Sequence, residues 1–504
     1  MKEIHVALNG REQVPFHNHT SFCVGTGRLD LGLHEEYQRQ LARAQELCHF
    51  SHIRGHGLFS DQMGIYQERE NKDGTTDVSY CFTYADRVFD MYRKNGIRPF
   101  LELGFMPRRL ASGTQTLFYW NAQVTPPRDM EAWIKLVRAT LTHFRDRYGE
   151  DEVSLWPCEI WNEPNHKGFW ENADKEKYFD LYRATVLCVK EVLPRMRVGG
   201  PAICGGTGSQ DWIRDFLAFC RREKLPVDFV TRHAYMGLAP EYRKRYVYHP
   251  MCDVSWTIDE MRESRGIIDS FPEYEGLPMY ITEFNTSYNP FCPIHDTVLN
   301  AACCAGLLAR LGDVSDGYSY WTFGDVFEEQ GIPPRPFHGG FGLLAEGQIE
   351  KPTAWAFSFF ADLKGDAVYR DDNLLVTRTE EGGYDLIAWN ICPDQPETLH
   401  FTLELPAAEG PWVLVTDRVD GQHGNPLKGW HDLGEPASLT EGQRALLKAM
   451  ARPWTVTETL TPENGVLLIK EEMTDNAVLR LRLRPVRPVT EEGYDYRYYR
   501  PTEE

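Results

Sequence analysis

At 504 residues the chain is longer than one ordinary hydrophobic core supports, so two or three domains are expected. Its composition, 42% hydrophobic and 25% charged, excludes a disordered chain. A formal net charge of −20 argues against nucleic acid and anionic membranes as partners.

The N-terminal stretch from Met1 to Gly10 has no long apolar segment of the secretory kind. No apolar run approaches the roughly 20 residues that span a bilayer. Twelve cysteines lie dispersed, with no C-x-x-C and one adjacent pair, Cys303-Cys304. They read as thiols in a reducing compartment, the cytoplasm, and give no structural zinc spacing.

In chain order, Ile4–Leu8 alternates apolar and polar residues and is expected to add a strand to a second, downstream domain. From there to about residue 325, short apolar runs alternate with amphipathic helices. Eight strands are predicted: Val14–His17, Ser51–Arg54, Pro99–Leu103, Glu159–Trp161, Arg197–Gly199, Phe229–Thr231, Met279–Thr282 and Tyr318–Trp321. Between them, residues such as Trp133, Val137, Leu141, Phe144 and Tyr148 recur at helical spacing, with Gly149 as a stop. Eight strands with intervening helices predict an α/β fold of the (β/α)8 TIM-barrel type. A doubly wound sheet is disfavoured because no Gly-rich phosphate loop opens a helix.

After about residue 345 the period changes to two. Leu399, Phe401, Leu403 and Leu405 alternate with polar residues, as do Leu479, Leu481 and Leu483. Glu380-Glu381-Gly382-Gly383 reads as a hairpin turn, and Thr440 to Gln443 as a helical capping box. This part is predicted to be an accessory antiparallel β-sandwich. The expected division is a barrel over residues 14–325, a sandwich of residues 1–13 plus 340–490, and a Tyr-rich tail at 491–504 suited to joining copies of the chain.

Two segments carry the chemistry. In Cys158-Glu159-Ile160-Trp161-Asn162-Glu163-Pro164-Asn165 an apolar strand ends in Asn-Glu-Pro, and proline ends the strand. Met279-Tyr280-Ile281-Thr282-Glu283-Phe284-Asn285 has the same form. Barrel enzymes keep their reactive groups at the C-terminal ends of strands, so Glu163 and Glu283, on the fourth and seventh, face one mouth. Paired carboxyls there suit glycoside cleavage, one protonating the leaving oxygen and the other attacking or activating water. Glu159, deeper in the same strand, reads as a buried support.

The chain resembles glycoside hydrolase family 39, the β-xylosidases. The resemblance is carried by Trp161 to Asn165, Ile281 to Asn285, Cys23 to Arg28, Ile53 to Phe59 and Leu101 to Pro107. Its most distinctive stretches are Tyr320 to Glu329 and Phe337 to Leu343. By that resemblance Glu163 is the acid/base, Glu283 the nucleophile and Asn162 the contact to the sugar 2-hydroxyl. His56, His233 and Tyr235 would serve as hydroxyl- and nucleophile-binding groups, and Trp321 as the floor under the sugar. Glu328 and Glu329 would hold the far hydroxyls, Phe118 and Phe169 would wall the entrance, and Tyr288 would line the pocket.

The resemblance implies a retaining exo-β-xylosidase that releases xylose from xylooligosaccharides without metal or organic cofactor, assembled as a homo-oligomer, a tetramer. Alternatives are another glycon, such as an α-L-arabinopyranoside, a β-galactoside or an iduronide, and a non-catalytic carbohydrate-binding barrel. Gly55, Arg232 and the pair Pro157-Cys158 depart from the family pattern and put the shape of the pocket in question. Arg232 is the local cation that a uronic glycon would need.

Overall fold

A computed structural model describes residues 2–8 and 13–486; the tail expected to join copies lies outside the described residues. After a first strand, β1 (Lys2–Ala7), eight parallel strands close a barrel: β2 (Cys23–Arg28), β3 (His52–His56), β4 (Arg98–Leu103), β5 (Cys158–Ile160), β6 (Val198–Ile203), β7 (Phe229–Tyr235), β8 (Met279–Asn285) and β9 (Gly317–Tyr320). They sit in sequential order, and β9 pairs with β2 to complete the ring. Strands covered on both faces read as unbroken apolar runs, and every residue of β6 and β8 is buried.

A helix follows each strand: α1 (Glu35–Cys48), α2 (Thr83–Lys94), α3 (Met130–Tyr148), α4 (Lys175–Val192), α5 (Ser209–Glu223), α6 (Val254–Asp269), α7 (Val298–Leu308) and α8 (Pro352–Ala361). Asp129 caps α3 by accepting from the Glu131 and Ala132 N–H groups, and Gly149 ends it with a positive φ of 89°. The last helix, α8, packs against both α1 and α7, so the helical ring closes beyond residue 340. This is the (β/α)8 fold that the strand count predicts.

Seven of the eight predicted strands overlap a barrel strand, and the first does not. Val14–His17 has no strand structure; Val14 N–H bonds the Ala367 carbonyl at 2.9 Å and docks on the second domain. The true first strand, Cys-Val-Gly-Thr-Gly-Arg, lacks the usual β-branched density. A Cβ on Gly25 would lie 2.4 Å from Trp321 Cε3, so the glycine that weakens the strand signal is required by the indole packed on it. At the opposite end, Phe22, Cys23, Phe100, Phe229 and Tyr280 plug the barrel with apolar side chains.

The accessory domain is two sheets face to face. The larger has the order β10 (Asp366–Arg370), β11 (Leu374–Arg378), β12 (Tyr384–Asn390), β17 (Ala477–Pro485), β14 (Trp412–Asp420) and β15 (Trp454–Leu460), all antiparallel. In the smaller, β13 (Leu399–Pro406) lies between β1 and β16 (Val466–Met473). β1 runs parallel to β13, from Lys2 opposite Leu399 to Ala7 opposite Glu404. The inner faces, among them Val6, Leu386, Leu403, Ile469 and Leu481, form one core. The capping box at Thr440 and Gln443 is present, with both reciprocal bonds.

The segment Phe337–Leu343 is bound to the barrel by charge. Lys351, fully buried, places Nζ 2.6 Å from Asp296, 2.6 Å from Asp325 and 2.8 Å from the Gly340 carbonyl. Asp296 accepts from Gly339 N–H and Asp325 from Gly342 N–H, each at 2.7 Å. A Cβ on Gly340 would lie 2.4 Å from Asp325 Oδ1, which explains glycine there. Phe327 and Phe341 of this region pack with Trp321. Lys351→Met strands two buried carboxylates and is expected to cost about 3–5 kcal/mol. This is read as a fall in thermal midpoint that is smaller when Asp296→Asn and Asp325→Asn accompany it.

Candidate active site

The backbone after β5 lifts Glu163 into the barrel mouth. Trp161 (φ 70°) and Glu163 (φ 45°) occupy the left-handed region, a conformation that side-chain-bearing residues adopt only when their surroundings hold it. Glu163 N–H donates to the Ala202 carbonyl at the end of β6, Trp161 Nε1 to the Phe169 carbonyl, and His166 N–H back to the Glu163 carbonyl. On β8, a register shift opposite Arg232 and His233 leaves Thr282 unpaired and sets Glu283 beside His233.

The two carboxyl groups and His233 have reactive atoms that all lie within 4.8 Å of one another. His233 Nδ1 is 2.7 Å from Glu163 Oε1 and 3.5 Å from Glu283 Oε2. Tyr235 hydroxyl donates to Glu283 Oε2 at 2.7 Å. Below them lies Arg54, fully buried. Its Nε donates to Glu159 at 2.6 Å, Nη1 to Glu283 Oε1 at 2.9 Å and Nη2 to Asn162 Oδ1 at 2.7 Å, with Glu102 3.0 Å from Nη2. Glu159 also accepts from Thr282 Oγ1 at 3.1 Å. His56 Nδ1 meets Glu102 at 2.7 Å, and its Nε2 stands 3.7 Å from Glu283 and 4.0 Å from Glu329.

Burial, and then the charge of Glu283, push the Glu163 carboxyl well above its ordinary value. Burial also raises Glu283, but Arg54, His56 and the Tyr235 hydroxyl oppose the rise. Glu283 is therefore the first of the pair to ionise, and Glu163 retains a proton. Burial drives His233 well below its usual value, so it faces Glu163 as a neutral ring. Glu329 is likewise pushed well up by burial and by Glu283.

Around this pair lies a cavity of about 610 Å³, lined by His56, Phe118, Glu163, Phe169, Tyr235, Glu283, Tyr288, Trp321 and Glu329 of the predicted residues. His56 and Trp321 rings are 4.8 Å apart, and Phe118 stacks on His56 at 6.2 Å. Asn162 and His233 are not among the lining residues; Asn162 accepts from Arg54, and His233 is hydrogen-bonded to Glu163. Glu328 is turned away from the cavity to an ion pair with Arg28, and only its neighbour Glu329 reaches the lining.

Two suspects named for pocket shape lie outside the lining. A Cβ on Gly55 would meet Thr26 Cγ2 at 2.6 Å and Leu29 Cδ2 at 3.0 Å, on the helix side of the sheet. Arg232 is fully buried and bound to Glu260 at 2.6 Å and to the Ser264 hydroxyl. The lining contains no lysine or arginine. Sequence reasoning passed over Arg54 and Glu102, and also His166, Trp256 and Glu260 of the lining. Arg54 sat within a quoted motif, and a charged residue in the middle of a barrel strand is itself the signal of a buried polar site.

The Glu163, His233 and Glu283 group is also the one among the described residues whose donor atoms could converge on a metal ion. Those atoms are already engaged with each other, with Arg54 and with Tyr235, an arrangement suited to passing a proton. The raised position of Glu163 fixes a sign. The unfolded chain ionises this group near about 4.3, the folded chain higher. Its contribution to stability is full below the unfolded value and is lost as pH rises through the folded one. Glu163→Gln cannot ionise, so its thermal midpoint is expected to gain on wild type progressively above about pH 4.3; parallel midpoint-against-pH curves would contradict this.

Residues 3–467 match glycosyl hydrolases family 39. The chain is 44% identical over 499 residues to a β-xylosidase of Geobacillus stearothermophilus, covering 97% of each. It is 33% identical to a β-xylosidase of Caldicellulosiruptor saccharolyticus, covering 85% of this chain and 87% of the relative. The solved structure of a monomeric β-xylosidase from Caulobacter crescentus CB15 superposes with a TM-score of 0.86 at 31% identity, covering 97% of this chain and all of that one. Paired carboxyls in a barrel mouth and kinship along nearly the whole chain lead to one conclusion: this protein belongs to glycosyl hydrolases family 39 and is a glycoside hydrolase.

Proposed function

We propose that the protein is a retaining exo-β-xylosidase. The observation that carries this reading is the Glu163–Glu283 pair, with carboxyl oxygens within 4.8 Å and unequal proton affinity. Retaining enzymes hold their carboxyls about 5–5.5 Å apart, whereas inverting ones leave about 6.5–9.5 Å for a water. In the first step Glu283 attacks the anomeric carbon while Glu163 gives its proton to the glycosidic oxygen, so the leaving sugar departs as an alcohol and xylose is held as an ester of Glu283. Glu163, now ionised, takes a proton from water; the oxygen of that water attacks the same carbon and releases Glu283.

The surroundings suit these roles. Arg54 and Tyr235 hold the Glu283 carboxylate by its two oxygens. Asn162 spends its carbonyl on Arg54, which leaves its amide N–H to donate to the sugar 2-hydroxyl. Trp321 underlies the ring, with His56 and Glu329 toward the far hydroxyls and Phe118, Phe169 and Tyr288 about the entrance. Glu328 contributes indirectly, by anchoring its loop to Arg28. A cavity closed at its inner end by aromatic rings accepts a chain end, which is exo action.

The relatives named above and the lining support xylose as the glycon. An iduronide would bring a carboxylate to Glu163, Glu260, Glu283 and Glu329 with no lysine or arginine to receive it. The cytoplasm fits twelve free cysteines, nine of them buried, and no helix among the described residues is long and apolar enough to cross a membrane. A tetramer draws no support from the Caulobacter relative, described as monomeric.

The test is a panel of aryl glycosides. Aryl β-D-xyloside is expected to turn over fastest, ahead of the α-L-arabinopyranoside, β-galactoside and iduronide. Glu283→Ala abolishes that turnover, and a 2-fluoro-xyloside esterifies Glu283. Glu163→Ala slows xylobiose by about 10²–10⁴-fold and a dinitrophenyl xyloside, whose leaving group needs little acid, far less in its first step. Labelling of another residue, or turnover by Glu283→Ala, would reverse the assignment.

A further inference from the structure

The cavity has two ends of different chemistry. At the inner end His56, Phe118, Trp321 and Glu329 surround Glu283, on loops and strand ends from the side of β3 and β9. At the outer end are Cys204–Gly206, which follow β6, and Trp256 and Glu260 of α6. In the barrel ring β6 stands across from β2, and it is β2 that lies between β3 and β9. Glu163 is stationed between the two ends. Its N–H is bonded to Ala202 at the end of β6, and Asn165, two residues on, clamps Cys204 through the amide nitrogen and carbonyl of both residues, at 3.0 and 2.9 Å. A group that protonates the glycosidic oxygen must face the departing sugar, so the space beyond Glu163 on the β6 side receives that sugar.

Three features of this outer end suit a sugar. Trp256 is 52% exposed, a large aromatic surface on the wall of a cavity. Glu260 lies four residues on, along the same face of α6. Its Oε1 is fixed at 2.6 Å from Arg232, a fully buried guanidinium that also bonds Ser264 and through it Gln210. Gly205 keeps the space beside that carboxylate clear, since a Cβ there would lie 3.2 Å from Glu260 Oε1, and Gly206 opens on nothing within 4 Å.

We propose that Trp256 and Glu260 form the subsite for the departing sugar, the indole stacking on its ring and the carboxylate accepting from its hydroxyls, with Arg232 as the residue that positions Glu260. The inference rests on the xylosidase reading above. Its substrate class is a xylooligosaccharide whose departing residue is a neutral pyranose. A departing residue bearing a carboxylate would meet Glu260 with no cation in the lining to offset it.

The experiment compares kcat/KM for xylobiose with kcat/KM for β-D-xylopyranosyl fluoride, whose leaving group is one atom and reaches neither residue. Trp256→Ala and Glu260→Gln are each expected to lower the xylobiose-to-fluoride ratio by about two- to tenfold. Arg232→Lys lowers it in the wild-type background and not in Glu260→Gln, as a positioning residue must. The inference is overturned if the ratio is unchanged in Trp256→Ala and Glu260→Gln, or if Arg232→Lys acts equally in both backgrounds. Trp256, half exposed, can be replaced without disturbing the core, so the test stands even if the Arg232 variant fails to fold. Failure of the wild type to cleave the fluoride would instead sink the xylosidase reading itself.

Discussion

The site is organised around one buried cation. Arg54 projects from the middle of β3 into a barrel interior where an isolated charge would be prohibitively costly, and it is tolerated because its guanidinium is surrounded by Glu159, Glu283, Asn162 and Glu102. These partners come from three other strands, Glu102 from β4, Glu159 and Asn162 from β5 and the residues just past it, and Glu283 from β8. The planar fork of donors therefore does more than neutralise charge: it fixes the relative positions of β4, β5 and β8 at the height where chemistry takes place. A lysine, with a point charge on a flexible stem, could not hold four acceptors at set angles.

The electrostatics of the pair follow from that arrangement. Glu102, Glu159, Glu163, Glu283 and Glu329 share the neighbourhood of one arginine, more negative charge than it can balance. The excess is relieved by protonation, and position decides which groups keep a proton. Glu283 touches Arg54 and Tyr235 and so gives up its proton first. Glu163 and Glu329 have no such contact, and both are driven up by burial and by their neighbours' charge. One acid and one carboxylate, distinct in role though identical in type, result from unequal access to a single guanidinium.

How far the sequence revealed this depended on whether a residue's neighbours in the chain are also its neighbours in space. Glu163 and Glu283 were legible because strand, acid and strand end are consecutive. The sandwich strands were legible because alternation is local, as in Leu399 to Leu405. Arg54 was not, since its partners lie 48 to 229 positions away and only the closed barrel brings them together. The first barrel strand was hidden for a similar reason: Gly25 answers to Trp321, nearly the whole barrel away in sequence. Glu328 and Glu329, adjacent in the chain, could not be told apart until the loop assigned one to Arg28 and the other to the cavity.

The same logic explains why the segment from Phe337 to Leu343 identifies the family more sharply than Asn-Glu-Pro does. Asn-Glu-Pro solves a local problem, ending a strand with an acid set in the barrel mouth, and many barrels share it. Phe337–Leu343 solves a problem particular to this chain, in which a loop past the last barrel strand must turn back and support the sugar floor. Each part has a reason. Lys351 neutralises Asp296 and Asp325, the freed backbone amides of Gly339 and Gly342 bind those carboxylates, and Gly340 leaves room for Asp325. Phe341 then packs with Phe327 and Trp321. A buried ion triad is a costly way to secure a loop, because three charges must leave water together. It is geometrically exacting for the same reason, since any displacement strands a charge. The cost is consistent with what the loop holds, an indole whose position sets where a sugar ring lies relative to Glu283.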